Sequence, residues 1–217
     1  MFAGSKKGRL TIQWMTGTAM MIALTLVLAN TPLGRIAMPF LTATTLHIPV
    51  IIATLVLGLE AGLLTGLTFG VHSLISNLTG ASFFAPFFIN PLVSVLPRVL
   101  FPVVVYAIAE GVKRLLSRFD RHNVIAYVLA SALGTAIHTA MVMGMIYLLY
   151  APRIAELVAM GANAPESIAQ SGVGAGIALM GVANGVPEAI VAAVIAPVVT
   201  LAIDKAIGRI RVRKQTA

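Results

Sequence analysis

The chain has 217 residues, 59% of them hydrophobic and only 10% charged, a balance no soluble domain of this length could cover with polar surface. With no cysteine it has no disulfide framework, thiol catalysis or cysteine metal site. The formal charge of +8 does not indicate nucleic acid, because the basic residues fall in the gaps between apolar runs. Length is therefore better counted in membrane spans of about 20 residues each.

The first predicted span covers residues 14–29 and follows the basic start Lys6, Lys7 and Arg9. The second, 47–58, is below the usual spanning length, so it is expected to lean or to begin in an ordered segment inside a bundle. The third, 60–78, follows almost without a loop. The fourth covers 91–112, the fifth 124–150, and the sixth lies within 174–203. No span alternates with period two, so the expected architecture is all-α, a single membrane domain of six transmembrane helices, and not a barrel.

Lysine and arginine set the orientation. With the N-terminus inside, Lys6, Lys7, Arg9, Lys113, Arg114, Arg118, Arg121, Lys205, Arg209, Arg211, Arg213 and Lys214 are cytoplasmic. Only Arg35 and Arg153 then face outward, and Arg98 falls within a span. The expectation is a multi-pass protein of a bacterial or archaeal inner membrane with both termini cytoplasmic. Val27-Leu28-Ala29 resembles a signal-peptide cleavage site, and cleavage there would leave five spans; the uncleaved reading is preferred. The outer connections are then 30–46, 79–90 and 151–173, long enough to suggest a lidded site facing outward.

Ionisable groups are costly in a membrane interior, so each calls for an account. Arg98 lies eight residues past Asn90, roughly 12 Å below the outer end of the fourth helix. Glu188 lies roughly 25 Å above the inner surface, His138 about 21 Å up the fifth helix and His72 about 18 Å up the third. Asn90, Ser94 and Arg98 share one helix face, as do Asn184 and Glu188, and Ser131, Thr135 and His138. Amide donors, an arginine fork, a carboxylate and an imidazole on converging helices suit a small polar molecule carrying a carboxylate or hydroxyls. Plainer readings stand beside this one. Arg98 and Glu188 can neutralise each other as an interhelical ion pair, with or without lining a pocket. Asn184 and His138 can be interhelical hydrogen-bond glue. His47 reads as an interfacial residue at a helix start.

Gly62, Gly66 and Gly70 on the third helix, and Gly181 and Gly185 on the sixth, mark close helix approaches. Ala19 and Ala23 form an Ala-x-x-x-Ala step on the first. The chain holds no phosphate-cradling Gly-x-x-x-x-Gly-Lys-Ser/Thr loop, no His-Glu-x-x-His and no Gly-x-Ser-x-Gly, and no evident inverted repeat. It shows no energy source of its own, and no cofactor, metal or catalytic residue is expected.

The first helix with Ala19 and Ala23, the run His47-Ile48-Pro49-Val50-Ile51, the stretch Leu57-Gly58-Leu59-Glu60-Ala61-Gly62, the run from Asn90-Pro91 to Pro97-Arg98, and Asn184-Gly185-Val186-Pro187-Glu188 together resemble the substrate-binding S component of energy-coupling-factor (ECF) vitamin transporters, over about residues 14–205. The resemblance implies a six-helix bundle that captures a vitamin or vitamin precursor from outside. It further implies docking through the first helix, at Ala19 and Ala23, on a transmembrane coupling subunit driven by two cytoplasmic ATPases, with toppling in the membrane to release substrate. The Asn-Pro…Pro-Arg run looks most like pantothenate-type members, whose carboxylate would suit Arg98; pyridoxine, hydroxymethylpyrimidine and folate types share the architecture. The expected substrate-binding residues are Asn90, Arg98, His138, Asn184, Glu188 and His72. The rival classes are a small intramembrane enzyme using Glu188 and His138 as acid and base, and a structural membrane subunit with an incidental ion pair.

Overall fold

The structure, a computed structural model, describes residues 12–37, 42–80, 82–116, 120, 123–162 and 164–215, with backbone alone for 35–37, 42–43 and 207–215. Lys6, Lys7, Arg9, Arg118, Arg121 and Asn163 lie outside the described residues. The elements in chain order are α1 (Ile12–Ala29), a 3₁₀ turn, a short antiparallel hairpin of β1 (Arg35–Ala37) and β2 (Thr42–Thr44), α2 (His47–Ile52) continuing as a π-helical stretch (Ala53–Leu57), and α3 (Leu59–Leu78). Then come α4 (Ala85–Phe88), α5 (Pro91–Ser94), α6 (Leu96–Leu115), α7 (Val124–Ala159), α8 (Glu166–Ser171) and α9 (Val173–Gln215). The fold is all-helical apart from that hairpin. Four helical segments are long and apolar enough to cross a membrane: Ile12–Ala29, Pro91–Leu115, Val124–Ala159 and Val173–Ala206. His47–Leu57 is apolar but shorter. α3 has a span's length, and its second half dilutes the apolar pattern with His72, Ser73, Ser76 and Asn77.

All six residues of α2 are buried, and the helix packs against α1, α3, α6 and α9. A helix wrapped by protein needs no full lipid-facing length, and an irregular π stretch is tolerated where its backbone is shielded from hydrocarbon. The stretch ends at Gly58 with φ 101°, a conformation open to glycine at little cost, and the chain turns directly into α3. The carbonyl of Leu57 accepts the Trp14 indole N–H at 3.1 Å, which ties α1 to this turn.

The α3 glycines decide how closely α3 meets α6. A side chain at Gly66 would strike the carbonyl oxygen of Arg98, and one at Gly70 would stand 2.9 Å from the Val95 Cα. That Arg98 carbonyl has no helical donor, because Pro102 one turn on lacks an N–H. Two sequence features thus bring the α3 and α6 backbones together at the level of Arg98. On the other side, Gly185 of α9 lets the helix seat against Thr139 of α7, where an added Cβ would lie 3.0 Å from the Thr139 methyl.

The segment 151–173, expected to be a loop, is mostly helix. α7 runs through Pro152 to Ala159, because Ile154 is fully buried in a cluster with Phe87, Val93, Ile146, Ile168 and Ile177. Burial of that face outweighs the single hydrogen bond the proline removes. The other end of α7 is capped by Asp120, whose two carboxylate oxygens accept from the backbone N–H of Val124 (2.8 Å) and Ala126 (3.0 Å). Nearby, the Tyr127 hydroxyl donates to Asp204 at 2.9 Å and joins α7 to α9.

Candidate substrate site

Arg98 occupies the first turn of α6. Upstream, Asn90 caps α5, its Oδ1 accepting from the Leu92 N–H at 2.9 Å, and its Nδ2 donates to the Tyr150 hydroxyl at 3.0 Å. Pro97 has no N–H to offer the carbonyl of Val93 one turn back. Arg98 fills that gap: its side chain points toward the helix N-terminus, as helical geometry favours, and Nη1 donates to the Val93 oxygen at 2.7 Å. The guanidinium carbon stands 5.5 Å from the ring centre of Phe69 and 5.3 Å from that of Phe88, within cation–π range of both. The residue is only 7% exposed, and its Nε has no partner.

Glu188 does not pair with it. Among the described residues the ion pairs are Lys113–Glu110 and Arg153–Glu156, so the plainer reading of an Arg98–Glu188 ion pair is not what the structure shows. Each charge is engaged elsewhere. Glu188 Oε1 accepts from both the backbone N–H (2.8 Å) and the hydroxyl (2.7 Å) of Thr44, which fastens β2 to α9. The two charges attract one another across the site without contact.

His138 is buried on α7, with its ring 4.9 Å from that of Phe101 and 6.2 Å from that of Phe69, and its Nε2 has no partner. His47 is likewise buried, with its ring 6.4 Å from that of Phe101 and an unpartnered Nε2. Its place at the start of α2 puts it inside the bundle. Arg98, His138 and Glu188 are brought to one interior region together with Thr44, His47, Phe69, Phe88 and Phe101. Asn184 is half-buried one turn before Glu188 and donates to its own helix at the Met180 carbonyl, 3.0 Å away. His72 is half-buried one turn beyond Phe69.

A hollow of about 820 Å³ lies between α7 and α9, lined by residues such as Ala136, Ala140, Gly144, Gly181 and Ala189. Its walls are almost wholly apolar, so it lacks the convergent polar groups that orient a solute. The interior cluster has them.

A family model described as the substrate-specific component of ECF transporters matches residues 13–200. The chain belongs to this family. No curated protein matches it. The protein is thus the substrate-specific component of an ECF importer, in a family of membrane transport components. In this S component, α1 buries the smallest share of its span, 17% against 28% to 44% in the other three apolar spans. Thr18, Met21 and Thr25 turn inward, while Ala19 and Ala23 lie on the exposed side with Met15, Met20 and Val27.

Proposed function

We propose that this S component captures a small carboxylate-bearing vitamin or precursor, of the pantothenate type, and that Arg98 grips the carboxylate. The observation that carries the reading is the state of Arg98: a buried guanidinium with one internal hydrogen bond, an idle Nε and no carboxylate partner. An uncompensated cation at membrane depth costs at least about 2.5 kcal/mol on insertion scales. A ligand anion offsets that cost and converts it into affinity, since charge-assisted bonds are about twice as strong as neutral ones. His138, Glu188 and Asn184 offer polar partners for the hydroxyls and amide of such a ligand, and Asn90 holds the α5–α6 break that presents Arg98. Labelled pantothenate should bind the purified chain and be recovered chemically unchanged. Recovery of an altered ligand would favour the enzyme reading, and no binding would remove pantothenate.

In this reading α1, α2 with its π stretch, α3, α5–α6, α7 and α9 are six spans. Both termini are cytoplasmic, and the hairpin and α4 lie at the outer surface. The exposed Ala19–Ala23 side of α1 docks on a transmembrane coupling subunit driven by two cytoplasmic ATPases, and the bundle topples to release its solute inward. The absence of cysteine makes the orientation simple to check. Ser82→Cys should react with an impermeant thiol reagent in intact cells, and Ala206→Cys only after permeabilisation; the reverse pattern would overturn the topology.

A further inference from the structure

Two rings stand within cation–π range of the Arg98 guanidinium, and they come from different parts of the chain. Phe69 is a buried residue of α3, fixed by the close α3–α6 approach. Phe88 is the last residue of α4, in the connection between α3 and α6. α4 is itself anchored: Phe87 is 4% exposed, and its ring lies 4.9 Å from that of Tyr150 on α7. Phe88 is thereby held over Arg98 by an element pinned to a different helix.

With two rings standing against the guanidinium and Nη1 bound to Val93, the unpartnered Nε side is what the group offers a ligand. An edge approach in the guanidinium plane suits the two oxygens of a carboxylate and gives a lone hydroxyl only one bond. The rings also keep water from the charge, where screening would weaken its pull on an anion.

We infer that Phe88 is a specificity-determining positioning residue: it holds the Arg98 guanidinium edge-on to the ligand, so that the site prefers a carboxylate over the corresponding alcohol. The inference rests on the carboxylate reading of Arg98 and deepens it. The test compares binding of pantothenate with that of pantothenol, which carries a hydroxymethyl group in place of the carboxylate, on purified wild-type protein, Phe88→Leu and Phe88→Tyr. Removing the ring should lower the pantothenate-over-pantothenol preference about tenfold, as expected for the loss of a desolvated cation–π contact, through weaker pantothenate binding with pantothenol little changed. Phe88→Tyr, which restores the ring, should restore the preference. A structural role alone would weaken both ligands equally, and that outcome, or an unchanged ratio in Phe88→Leu, overturns the inference while leaving the Arg98 reading in place. If wild-type protein shows no preference, the Arg98 reading falls and takes the inference with it. Should Phe88→Leu not be recovered folded, Phe88→Met, of similar volume, carries the same comparison.

Discussion

Arg98→Lys is expected to weaken binding of a carboxylate solute by tenfold to a hundredfold, on the order of one hydrogen bond to a charged group, while the protein still folds. Lysine keeps the positive charge, so no new charge imbalance is created. It loses the planar fork, and its point charge cannot reach Val93 and two carboxylate oxygens in one plane. The structure sharpens the expectation, because Glu188 is satisfied by Thr44 and makes no ion pair that lysine could preserve or break. Equilibrium binding of labelled pantothenate to the purified variant, beside its thermal unfolding, is the check. Unchanged binding would reduce Arg98 to a cap on the Val93 carbonyl.

The second large effect is expected at the exposed side of α1. Ala19→Leu with Ala23→Leu adds two bulky side chains where small residues permit close helix approach. Uptake into cells and co-purification with the coupling subunit should be abolished. Ligand binding by the isolated subunit should survive, because both alanines point away from the bundle and from Arg98. Loss of binding together with uptake would mean that this face supports the bundle.

What the sequence made legible followed from local periodicity. Four-residue steps put Asn184 on the Glu188 face. Glycine spacing marked the α3 face that meets α6. Partners across the fold were not legible. Thr44 reaches Glu188, 144 residues on in the sequence, only because β2 packs against α9, and nothing in a run of threonines marks which one does so. Phe69 and Phe88 look like any apolar residue until the backbone brings them to the guanidinium. The missing Arg98–Glu188 bridge has the same origin: charge complementarity suggested a pair, and nearer donors and acceptors at Val93 and Thr44 won. The end of the fifth span was set too early, at 150, because the burial of Ile154 that carries α7 on to Ala159 is not visible in the local pattern. The Pro97–Val93–Arg98 relation was within reach of the sequence, since a proline always frees the carbonyl four residues earlier.

The most direct measurement of the central claim is competition between labelled pantothenate and unlabelled pantothenol on the purified wild-type subunit, without ATPases or coupling subunit. If Arg98 holds a carboxylate, pantothenate displaces the label at concentrations tenfold to a hundredfold below those pantothenol needs. Equal displacement by the two would contradict the account and leave the buried guanidinium without a ligand role.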